Sequence, residues 1–171
     1  MAQTVEGTQG EVGRRHAAAA RVVSLMFMLT LALGALALIV TPRLKLEVNP
    51  VTANTLLFVI LFLALGAITF RRTKFNSMRL QDVAALRGVE GLLDTLQRTT
   101  VLVALIGGLI ALLGFVFALL TSNGTNMLYP GVIAAAVLLY AYPRRAAWGA
   151  VVRALADGDA DPVRAAKGTL A

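Results

Sequence analysis

The run TTVLVALIGGLIALLGFVFALL, residues 99–120, decides the fold. It carries no charged side chain over its whole length. At a rise of ~1.5 Å per residue, a helix over such a run is about 33 Å long, enough to cross a hydrocarbon core of about 30 Å. Residues 22–40, 51–70 and 127–142 share the property. Inside a bilayer no water can bind exposed N–H and C=O groups, so each run must satisfy its backbone internally, as a helix does. The expected fold class is all-α: a polytopic four-transmembrane-helix bundle of two helical hairpins, with amphipathic helices on the cytoplasmic side.

Composition supports this reading. The 171 residues are 58% hydrophobic and 15% charged, with a mean hydropathy of +0.76. A soluble domain carries about 25% charged residues, so this chain lacks the charge to cover a water-facing surface. The net charge is +7, and thirteen of the sixteen basic residues are Arg. In a soluble protein that balance would suggest nucleic acid. Here the cations flank apolar runs, so they point to topology and to a bilayer with anionic head groups, and no nucleic-acid partner is expected. The absence of Cys removes disulfides, thiolate nucleophiles and Cys-based metal sites.

The cations also orient the chain. Arg14, Arg15 and Arg21 precede the first span; Arg71, Arg72, Lys74, Arg79, Arg87 and Arg98 lie between the second and third; Arg144, Arg145, Arg153, Arg164 and Lys167 follow the fourth. These fourteen fall on one side of the membrane, against Arg43 and Lys45 on the other. The positive-inside rule then puts both termini in the cytoplasm, with the chain in a cytoplasmic (inner) membrane. Ala35-Leu36-Ala37 loosely fits a signal-peptide cleavage site, but the apolar run continues through Val40, so an uncleaved anchor is expected. Arg14-Arg15 is followed by His16-Ala17-Ala18, which does not fit a twin-arginine signal.

The expected organisation is a disordered cytoplasmic tail over 1–16, a transmembrane domain over 17–156, and a second disordered tail over 157–171. Within the domain two stretches read as amphipathic helices. In 85–97, Ala85, Leu86, Val89, Leu92, Leu93 and Leu96 fall on one stripe, opposite Arg87, Glu90 and Asp94. In 144–156, Trp148, Val151, Val152 and Leu155 form another stripe after Arg144 and Arg145. The first reads as an interfacial helix or a lead into the third span, with a docking helix for a partner as the alternative, and the second as an interfacial helix anchored by Trp148. Arg71, Arg72, Arg144, Arg145 and Trp148 are the candidate head-group residues.

Gly107, Ala111, Gly114 and Ala118 share one face of the third span. Lipid offers no hydrophobic drive for helices to associate, and small side chains allow the close approach that packing needs. This face is the expected helix–helix contact, within the chain or against a second subunit.

The two halves share a plan of Arg, span, polar loop, span and Arg-Arg, a parallel repeat of hairpins with little residue identity. Two apolar helices joined by a polar loop resemble the proteolipid subunit of rotary ATPases. That family's intramembrane carboxylate has no counterpart here, since no span contains Asp or Glu. Over the whole chain the layout resembles small uncharacterised bacterial four-helix integral membrane proteins. That resemblance rests on no specific motif and carries over no functional residue.

Sites of chemistry are sparse. His16 is the single histidine and falls in the expected tail. Asp157, Asp159 and Asp161 open like a calcium loop, but Pro162 and Gly168 stand where Gly and Glu are needed. Ser24 has no base nearby in sequence, and Gly107-Gly108 lacks the Lys of a phosphate loop. No cofactor, metal or catalytic residue is expected, and the chain reads as a non-enzyme. The expected role is an accessory, assembly or scaffold component of a membrane complex, with a membrane-protein partner or homo-oligomer. The alternatives are an oligomeric passive transporter or channel lined by Ser24, Thr30 and Thr69, and a lipid-modifying enzyme using Arg79, Asp82, Glu90 and Asp94.

Overall fold

The architecture is seen in a computed structural model, which describes residues 2–44, 50–74, 77–146 and 148–150, and the side chains of 10–44, 51–74, 86, 90–146 and 148–150. Helix α1 spans Ala2–Val40, α2 Pro50–Lys74, α3 Ser77–Leu120 and α4 Leu128–Ala141. Short 3-10 turns occupy Thr41–Arg43 and Gly124–Met127, and no strand occurs among the described residues. Four segments are long and apolar enough to cross a membrane: Gly10–Arg43, Val51–Lys74, Glu90–Leu120 and Gly124–Ala141. The chain is a multi-pass all-α membrane protein, and each of the four spans expected from sequence lies within or nearly within one of these segments.

Two of the helices outrun their spans. The 39 residues of α1 and 44 of α3 correspond to about 59 and 66 Å of helix, twice the hydrocarbon thickness. Both excesses lie at the N-terminal end, over 2–21 and 77–98. The first overturns the expected tail over 1–16. Glu11 and Arg15 form an i,i+4 pair in the favourable order, and Val12 and Ala19 are buried one above the other, so the segment has both local and packing reasons to be helical. The second merges the amphipathic stretch 85–97 with the third span in one helix. Leu92, Leu93 and Leu96 of its stripe are buried, but Leu86 is 85% exposed, so burial does not extend to that residue. In the stretch 144–156, residues 145–146 and 148–150 are helical; 151–156 and the expected tail 157–171 lie outside the described residues.

The chain divides into two compact units. One comprises Val23–Thr69 and Leu102–Ala141, and holds the bulk of all four apolar spans. Half of the apolar window of α3 is buried, against 17% in α1 and in α2, so α3 is the most enclosed helix. Val103, Ile110, Ala111 and Ala118 of α3 and Ala134, Val137 and Leu138 of α4 form much of the core, joined by Ala37 of α1 and Ile60 of α2. The other faces of α1 and α2 present large apolar side chains outward, Phe58 and Phe62 among them, as a bilayer requires.

The α3–α4 connection is tightly specified. Asn123 N–H donates to the Ala118 carbonyl and Ser122 N–H to the Leu119 carbonyl, at 3.2 and 3.1 Å. This is a Schellman cap, and Ser122 takes its left-handed position with φ 50°. Asn123 Oδ1 then accepts from the Thr125 backbone N–H and hydroxyl, capping the 3-10 turn. Gly124 lies directly on the end of α1: a Cβ there would stand 2.9 Å from Leu38 Cα and 3.0 Å from the Ala37 carbonyl oxygen.

The other unit comprises Met1–Val22, Phe70–Val101 and Tyr142–Ala171. Among the described residues it contains eleven of the cations assigned above to one side of the membrane, from Arg14 to Arg145. Its core includes Val12, Ala19, Leu92, Leu93, Leu96, Thr100, Trp148 and Ala150.

Candidate functional site

Two arrangements stand out, one in each unit. In the apolar unit, the stripe Gly107, Ala111, Gly114 and Ala118 is a packing face. Ala111 and Ala118 are fully buried. A Cβ on Gly107 would meet the Leu138 side chain at 2.9 Å, and one on Gly114 would fall on the Pro130 ring beside Met127 Sδ. The stripe therefore receives α4 of the same chain. Gly108, on the adjacent face, receives the Met26 side chain of α1.

Two buried hydroxyls in this unit are satisfied by backbone carbonyls four residues earlier. Thr30 donates to the Met26 carbonyl at 2.9 Å and Thr41 to the Ala37 carbonyl at 2.7 Å. Ser24 and Thr69 lie on exposed positions.

In the charged unit, Arg15 is the hub of an ion-pair cluster. Only 19% of its side chain is exposed, and it reaches Glu11 at 2.7 Å, Glu90 at 3.5 Å and Asp94 at 4.0 Å. Arg98 holds Asp94 at 3.0 Å from the other side, and Arg14 approaches Glu11 at 3.9 Å. The cluster ties α1 to α3. Glu90 and Asp94, considered above as part of a head-group-processing set, are committed to it; the side chains of Arg79 and Asp82 lie outside those described.

His16 is the second hub. Its Nε2–H donates to the Pro143 carbonyl oxygen at 2.9 Å, and its ring meets Trp148 edge-on with centroids 5.8 Å apart. One turn earlier, the Arg145 guanidinium lies against Gly13, its Nη2 3.3 Å from where a Cβ would be. Together these contacts hold Pro143, Arg145 and Trp148 on α1. They correct the expectation for Trp148, which is only 4% exposed and packs on His16 instead of presenting itself to head groups. Arg72, Arg144 and Arg145 are exposed and Arg71 is partly exposed.

Sequence reading passed over Gly13, His16 and Arg15 because it took them as tail. The signal was present in the spacing: Glu11 and Arg15 four apart, with apolar Val12, Ala19 and Val23 on one helical face. No group of three or more His, Asp or Glu that could hold a metal occurs among the described residues. No family model matches the chain, and no significant match was found among curated proteins or solved structures.

Proposed function

We propose that this protein is a non-catalytic accessory, assembly or scaffold subunit of a membrane complex, lying in the cytoplasmic (inner) membrane with both termini in the cytoplasm. The observation that carries the reading is the continuity of α1 and α3. Each passes from an apolar span into a charged segment of about twenty residues without a break. There the helices are cross-linked by the Arg15 cluster. Such a segment gives soluble and membrane partners a firm surface to assemble on, while the membrane-embedded hydroxyls of Thr30 and Thr41 are spent within their own helices.

The test is purification of the tagged full-length chain from its native membrane in mild detergent, with mass spectrometry of co-purifying proteins. A stoichiometric partner supports the proposal. A chain that purifies alone, and that releases trapped solute from liposomes, would replace it with an oligomeric passive channel. Reporter fusions test the orientation: a cytoplasm-active reporter should work at either terminus, and a C-terminal fusion active only outside the cytoplasm would overturn it.

A further inference from the structure

We propose that Arg144 and Arg145 form a binding site for the phosphate of an anionic phospholipid, with Gly13 and His16 of α1 as positioning residues. The inference rests on the membrane reading and not on the accessory role.

Three observations lead to it. The first is charge that no described acid engages. Glu11, Glu90 and Asp94 are all engaged with Arg14, Arg15 or Arg98. Arg144 and Arg145 make no side-chain hydrogen bond or ion pair among the described residues, so no described carboxylate occupies their guanidinium donors. The second is fixed geometry. An exposed arginine ordinarily samples many rotamers, but the Arg145 guanidinium is laid on α1 where Gly13 offers no side chain. The backbone just before the pair is pinned by the His16 bond to the Pro143 carbonyl, and Trp148 on the far side packs on the same imidazole. The third is position. The pair follows the end of the last apolar helix, Ala141, by three and four residues, with half-exposed Tyr142 between.

The ligand follows from the chemistry. A guanidinium presents a planar fork of donors that matches phosphate oxygens. Adjacent Arg and Tyr at the end of a span lie where head groups lie. A lipid phosphate, delivered by the bilayer at that depth, is therefore the occupant, and free phosphate is the outcome to be excluded.

The experiment uses the full-length protein in phosphatidylcholine nanodiscs with rising phosphatidylglycerol content. Trp148 is the only tryptophan, so its emission reports on this place alone. A saturable change in emission is expected, with matching retention of phosphatidylglycerol in native mass spectrometry. R144Q/R145Q should abolish the saturable part and lower retention several-fold. G13V keeps every charge but displaces Arg145, and should raise the lipid fraction needed for half-saturation several-fold; should it fail to fold, G13A serves. R21Q/R43Q removes the same charge from two other exposed positions and should behave as wild type. Equal losses in both double variants would mean diffuse charge attraction and overturn the site, as would a wild-type response in R144Q/R145Q. Inorganic phosphate added to pure phosphatidylcholine discs should do nothing. A response equal to the lipid's would reassign the site to free phosphate and overturn the proposal.

Discussion

Gly114 of α3 vacates the space that the ring of Pro130 in α4 fills. The relation differs in kind from that of Gly107 with Leu138, seven residues earlier. A proline ring is fixed to its backbone, so α4 itself would have to move. The Leu138 isopropyl group lies at the end of a rotatable side chain. Gly114→Ala is therefore expected to destabilise by ~1–3 kcal/mol through overpacking. Gly107→Ala should cost less, offset in part by the helix propensity of Ala, about 1 kcal/mol better than Gly. Reversible unfolding in mixed micelles with rising denaturing detergent would rank them, and a larger loss at Gly107 would contradict the packing described. Leu at Gly107, Ala111 and Gly114 together should sharply reduce the yield of folded protein.

Ser122 holds a left-handed backbone position that costs an L-residue about 1 kcal/mol and glycine almost nothing. Ser122→Gly should raise stability by up to about that amount, read as a later midpoint in the same unfolding titration. A clear loss would mean that the serine side chain contributes more than its backbone strain costs.

Arg15→Gln removes the charge that joins Glu11, Glu90 and Asp94. With Glu90 well exposed, the loss in stability should be modest, on the order of 1 kcal/mol or less. Its signature is local: faster amide hydrogen exchange over residues 10–20 and 88–98, with exchange elsewhere unchanged. Raising salt from 0.05 to 1 M should shrink the difference between variant and parent, as screening weakens the parent's pairs. A difference independent of salt would assign the effect to packing of the arginine stem.

Trp148, buried against His16, should emit at short wavelength and resist a water-soluble quencher. His16→Ala removes both the ring contact and the donor to the Pro143 carbonyl, and should shift emission to the red and open Trp148 to quenching. Unchanged emission and quenching would show that Pro143 and Trp148 are held by other contacts.

The apolar half of this fold was legible in sequence because the bilayer leaves few choices. An uncharged run as long as 99–120 must be a helix, and a stripe such as Gly107, Ala111, Gly114 and Ala118 must meet something closely. What that something was stayed open, because Leu138 and Pro130 carry no mark of their partner. The charged half was harder to read. Residues 1–16, with three glycines and few large apolar side chains, have weak helix propensity, and over 10–16 the helix is supported by the Glu11–Arg15 pair and by partners elsewhere in the chain: Glu90, Asp94, Pro143 and Arg145. Trp148 was misjudged for the same reason. A tryptophan after an Arg pair fits an interfacial anchor equally well, until a histidine more than a hundred positions earlier is seen beneath it.

The tight connection between α3 and α4 has a consequence for assembly. The bonds that shape it join residues no more than five apart, and contacts so local in sequence form early. The hairpin of α3 and α4 can thus close before α1 is seated, and the bare backbone of Gly124 leaves room for Ala37 and Leu38 to settle on it.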